Sequence, residues 1–158
     1  MWAMTLVLLI AMPCTLDYHA GQGIDKKQEE KTKEEACQLM RELIEAVKKK
    51  DVNRILTHVH PKGTYILDGY WTRDEIIKEL KDKKSRLYGH LFSSEKSVKK
   101  YLENAKDLTC KITWRVSGEY KGIFVSLQSS NYSDVDWVEC CMSLENGKWY
   151  FDGMFSCE

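Results

Sequence analysis

The chain lacks an excess of either charge. Its 158 residues carry 24 Lys plus Arg against 24 Asp plus Glu, a formal net charge of zero. Phosphate backbones are held by a surplus of cations, so nucleic acid is not expected as the main partner. The chain also lacks an apolar run near the roughly 20 residues that a helix needs to span a bilayer, so no transmembrane span is expected. Its cysteines include no Cys-x-x-Cys pair, which leaves out a zinc ribbon and a thioredoxin-type site. What is present is apolar material: 43% of residues are hydrophobic, enough for one ordinary domain with a real core.

The first residues, MWAMTLVLLIAMPC, are apolar and uncharged. They read as the hydrophobic part of a signal peptide, with only the terminal amine as positive charge. Residues 1–20 are therefore expected to be a leader. Two cleavage readings compete. Ala11-Met12-Pro13-Cys14 resembles a lipoprotein box, with Pro13 a poor fit, and would leave Cys14 lipidated and the protein tethered to a membrane. Tyr18-His19-Ala20 puts a small residue at the cut, with Tyr18 oversized two places before it. The expectation is export, to a periplasm or by secretion. A misassigned start codon would leave the chain in the cytoplasm. Beyond Cys14 stand Cys37, Cys110, Cys140, Cys141 and Cys157. That odd set leaves at least one thiol unpaired within the chain. Cys140 and Cys141 are adjacent and would point to opposite faces of a strand. The expectation is small buried residues with one disulfide, not a metal site.

Residues 21–32, GQGIDKKQEEKT, read as a charged linker that can run into the first helix. From Lys33 a single domain, 33–158, is expected. Ala36, Leu39, Met40, Leu43, Ile44 and Val47 recur at helical spacing and predict an amphipathic helix ending in Lys48–Lys50. Cations suit that end of the helix dipole. Asp51 can cap a second, short helix with Val52, Ile55, Leu56 and Val59 inward. Pro61 forces His60 into extended geometry and stops it. Thr64–Leu67 reads as a short strand. Thr72 and Glu75 form a capping box that opens a third helix. In this reading DGYW, residues 68–71, runs straight into that helix without forming a strand. Ser94 is expected to cap a further short helix.

After Lys106 the period changes from 3.6 to 2. Cys110, Ile112, Trp114 and Val116 alternate with polar residues, and three further strands follow, at 123–129, 135–144 and 148–156. Asn146-Gly147 marks a two-residue hairpin that pairs Glu145 with Lys148. That register predicts an apolar face of Ile112, Trp114, Val116, Ile123, Val125, Leu127, Val138, Cys140, Met142, Trp149 and Phe151. Allowing for a bulge, it places Cys140 near Tyr150–Phe151. The other face mixes aromatics with charges: Lys111, Arg115, Phe124, Gln128, Trp137, Glu139, Cys141, Tyr150 and Asp152.

Helix, short helix, strand, helix, then a four-stranded antiparallel meander ending in NGKWYFDG resembles the cystatin-like cone of the nuclear-transport-factor-2-like superfamily. HPKGTYILDGYWTRDEI is similar to the segment that leads those domains into their first strand and third helix. The resemblance covers about residues 33–156 and carries no catalytic signature. It implies an α+β fold, with N-terminal helices packed on a strongly bent antiparallel sheet. The superfamily holds isomerase- and dehydratase-like enzymes as well as binding domains, and fold alone does not choose between them.

His58 and His60 raise the metal question first. Pro61 separates them from the strand, and a third ligand, Asp68 or His90, has no supporting motif. The reading is an exposed pair that ends the second helix, with no metal and no cofactor. An enzyme would need a carboxylate or histidine inside the cone. Asp68, His60 and Tyr65 are the acid–base and hydrogen-bonding candidates, against a plain Asp68-Gly69 turn. Trp137, Glu139, Tyr150 and Asp152 form the candidate association surface, for a homodimer or a protein partner. The reading that leads is an exported non-catalytic domain binding a protein partner or a small apolar ligand. A small-molecule enzyme and a lipid-tethered accessory domain of an envelope assembly stand beside it.

Overall fold

The computed structural model describes residues 14–18, 26–67, 69–117, 120–132 and 138–156, with side chains for 27–67, 69–113, 122–132 and 139–155. Asp68, Trp137, Cys157 and residues 1–13 and 19–25 lie outside the described residues, as do the side chains of Cys14, Trp114, Arg115, Val116 and Val138.

Helix α1 (Lys26–Lys49) buries Ala36, Met40, Leu43 and Val47 completely. It begins within the stretch expected to be linker. Lys, Gln and Glu are strong helix formers, and Thr32 is already buried at 2% exposure, so packing starts inside the charged run. Helix α2 (Val52–His58) is capped by Asp51, which accepts from the Arg54 N–H at 3.0 Å. It ends at His58 because Val59 is extended, with ψ 136°.

Strands β2 (Gly63–Ile66) and β3 (Gly69–Thr72) form an antiparallel hairpin, Gly63 against Thr72 and Ile66 against Gly69. The expectation that DGYW skips a strand is corrected here. The physical reason is Thr72: its extended backbone, ψ 156°, closes β3 and also caps α3 (Arg73–Lys81), so one residue serves both elements. The capping box is present, with the Thr72 N–H donating to Glu75 at 2.8 Å. Then come the short α4 (Arg86–Tyr88), a π-turn over Gly89–Ser93, and α5 (Val98–Asn104). Ser97 caps α5, not Ser94, which instead starts the turn closed by the Ser97 N–H to Ser94 carbonyl bond at 3.1 Å.

Strands β4 (Thr109–Ser117), β5 (Tyr120–Gln128), β6 (Val138–Glu145) and β7 (Lys148–Ser156) make the antiparallel meander. Strand β1 (Cys14–Tyr18) adds to its outer edge, and the seven-stranded order is β1-β4-β5-β6-β7-β2-β3. Both β1–β4 and β2–β7 are parallel, so the sheet is mixed rather than purely antiparallel. The fold is α+β, with the helices on one face of that sheet.

The Asn146-Gly147 turn has φ of 52° and 77°, the left-handed pair that a two-residue hairpin needs, and Glu145 pairs with Lys148. A bulge at Asp152 shifts the register beyond it. Met142 pairs with Phe151 but Cys141 with Gly153, so Cys140 falls past Gly153; the Glu145–Lys148 register alone already sets it level with Gly153, not with Tyr150–Phe151, and the bulge adds one residue. The inward face is apolar as expected: Ile112, Ile123, Val125, Leu127, Cys140, Met142 and Phe151 are fully buried and Trp149 is 7% exposed. Met40, Leu43, Ile55, Leu91 and Phe155 meet them from the other elements. Cys110 and Cys140 are buried and not disulfide-bonded, and burial pushes the Cys110 thiol up to about 12. Cys141 is half-buried and not disulfide-bonded. Cys37 is buried and disulfide-bonded, to a cysteine outside the described side chains.

Candidate functional site

The His58-Val59-His60 stretch leaves α2 and crosses to β7, where the His60 N–H donates to the Phe151 carbonyl at 3.2 Å. Each histidine meets a glutamate from a different element. His58 is 8% exposed, which corrects the expectation of an exposed pair. Helix α2 lies against α1, so its last turn is covered rather than solvated. His58 Nε2 stands 3.3 Å from Glu42 Oε2 of α1, without the alignment of a hydrogen bond. Burial lowers the His58 pKa, the Glu42 carboxylate opposes that shift, and Arg54 and Lys148 add to it.

His60 is held at both ring nitrogens. Its Nδ1 accepts from the Lys62 N–H at 3.1 Å, and its Nε2 lies 2.8 Å from Glu145 Oε2 at the end of β6. Those partners assign the proton to Nε2, which donates to Glu145. The His60 ring meets Tyr150 edge-on at 5.6 Å, and Lys148 Nζ lies 4.8 Å from the Tyr150 ring centre. Both ring nitrogens are thus engaged, and His60 ties the segment after α2 to the end of β6.

Beside the His58–Glu42 pair runs an open groove of about 610 Å³, bounded by the outer face of α1, the end of α2 and the turn of the β6–β7 hairpin. Trp149 contributes to its wall and donates from Nε1 to Glu35 at 3.1 Å. Glu35 also faces Lys31 at 3.7 Å. Gln38 donates to Glu42 at 2.9 Å and accepts from Arg41 at 3.3 Å. Acids and bases thus alternate along the wall around one indole. Such a surface can match a chain of mixed charge.

The other expected site residues do not converge on one centre. Tyr65 is 62% exposed and packs edge-on against Tyr70, a separate aromatic pair from His60 and Tyr150. Asp68 lies outside the described residues. Glu139, Tyr150 and Asp152 are half-buried. Glu139 pairs with Ser156, whereas Tyr150 pairs with Ser143, so the ladder separates them by roughly 13 Å. Trp137 is also outside the described residues. His90 is half-buried beneath β7, its Nε2 3.1 Å from the Phe155 carbonyl, and burial lowers its pKa against that bond. Among the described residues no three His, Cys, Asp or Glu side chains gather as a metal site. No helix among them is long and apolar enough to cross a membrane.

Sequence reasoning missed Glu35, Glu42, Glu145 and Lys148. Only the NGKWY hairpin gave a local signal. The glutamates are joined to their histidines and tryptophan by tertiary packing alone.

No protein-family model and no curated protein matches this chain. The solved structures similar to it include two NTF2-named proteins. One, named Rd1NTF2_05, is 13% identical over 80% of this chain and 97% of its own, with a TM-score of 0.45. The other, an NTF2-like protein from Cytophaga hutchinsonii, is 10% identical over 82% of this chain and 95% of its own, with a TM-score of 0.41.

Proposed function

We propose that the chain is an exported, non-catalytic binding domain, and that the groove between α1 and the β6–β7 hairpin takes a partner of mixed charge. The observation that supports this reading is the apolar packing of the described inner face. Leu43, Ile55, Leu91, Phe151 and Phe155 are all fully buried there, whereas an isomerase-type enzyme would need a tuned acid or base. The charged groups stand outside, along the groove, and His60 has both nitrogens engaged. A polar partner segment suits this wall better than a small apolar ligand does. Export is supported by the apolar leader and by the disulfide at Cys37, since such bonds persist in oxidising compartments.

The test is native mass spectrometry on protein purified from its own host, with Lys148→Glu as the groove variant. The expected result is a retained peptide or protein partner whose occupancy falls at least tenfold in the variant. A small molecule that the protein turns over, with turnover abolished by His60→Ala or Asp68→Asn, would put the enzyme reading in its place.

A further inference from the structure

By composition residues 1–20 are a leader, yet five of them are built into the sheet. Cys14–Tyr18 pair in parallel with β4, from Cys14 beside Cys110 to Tyr18 beside Trp114. The local sequence agrees with that placement. CTLDY alternates apolar and polar residues, as does the facing CKITW of β4. The register sets Cys14 and Leu16 level with Cys110 and Ile112, both fully buried on the core face. It sets Thr15 level with Lys111, which is exposed. A leader's apolar segment has no reason to keep period 2, whereas a half-buried strand requires it. Strand β1 also covers the outer edge of β4, a nine-residue strand whose bare backbone would otherwise invite pairing with other chains. Helix α1 packs beside it.

We propose that Cys14–Tyr18 is a permanent strand of the working protein, and that any N-terminal processing cuts at or before the Pro13–Cys14 bond rather than after Ala20. The leader is then confined to residues 1–13. Hydrolysis of one amide bond by water removes it and leaves Cys14, or a residue before it, as the new amino terminus. The strand stays in place whether or not the chain is exported, so this inference does not depend on the function proposed above. An unprocessed chain would count against export and still keep β1.

Intact-mass measurement with N-terminal sequencing, on protein from its own host, tests the cut. A first residue at Cys14 or earlier, lipidated or not, is the expected result. A first residue at Gly21, or anywhere after Cys14, overturns the inference. Urea unfolding of two full-length variants tests the strand itself. Leu16→Asp should lower the midpoint by about 1 M or more, and Thr15→Asp should leave it nearly unchanged. Equal effects from the two variants, or none from either, overturn it as well.

Discussion

His58 and His60 stand two positions apart and do different work. His60 is tied by hydrogen bonds that fix its tautomer, while His58 is buried beside a carboxylate that it does not fully engage. Because burial lowers the His58 pKa below the ordinary 6.5, the unfolded chain binds its proton more readily than the folded one. The stabilising effect of a neutral His58 is therefore complete above pH 6.5 and is lost as pH falls through the folded value. The groups facing it are Glu42 on α1, Arg54 on its own helix and Lys148 on the hairpin. His90 is shifted the same way, so it contributes in the same window. Urea midpoints measured from pH 7.5 to 4.5 should fall on the acid side, and His58→Gln should flatten part of that slope. An unchanged slope in the variant would assign the effect to other groups. Cys110, by contrast, has its thiol pushed up to about 12 and is inert at neutral pH.

Among the elements, the β2–β3 hairpin has the least tolerance for change. Gly63 opens β2 at φ 134°, and a Cβ there would stand 2.2 Å from the Trp71 carbonyl oxygen. Backbone cannot yield as a flexible side chain can, so Gly63→Ala should destabilise the protein by more than about 2 kcal/mol, read by urea unfolding. A variant as stable as the parent would mean that the hairpin is looser than its close contacts imply. The β6–β7 turn contrasts with it. Gly147 also has positive φ, but nothing lies within 4 Å of a Cβ there, so its cost is conformational only. The groove is bounded by this roomier turn on one side and by α1 on the other.

At the scale of the whole molecule, the described inner face of the sheet packs against the helices in one apolar core. Phe151 sits at its centre, fully buried, opposite Met142 and beside the isolated bridge to Val59. Phe151→Ala should cost about 3–5 kcal/mol, the transfer loss plus the cavity it leaves. Calorimetry or denaturant unfolding would show it. A cost below about 1 kcal/mol would mean that the interior collapses or hydrates easily, and would reopen the case for an internal ligand site.

The sequence by itself determined the elements whose signals are local. Asp51 and Thr72 cap helices through residues three places on, Asn146-Gly147 sets a hairpin, and period 2 selects Ile112, Val125, Met142 and Phe151 as core. It also held a signal for β1 in CTLDY, masked by the apolar run before it. Three features were decided only in the tertiary structure. Burial of His58 depends on α2 lying against α1, and nothing near residue 58 encodes that contact. The bulge at Asp152 moves Cys140 along the ladder, a shift that alternation alone does not contain. The groove joins Glu35 and Glu42 of α1 to Lys148 and Trp149, more than a hundred residues on. Short-range rules reach only a few positions along the chain. The surfaces that can bind a partner are assembled by burial of a core formed from distant residues.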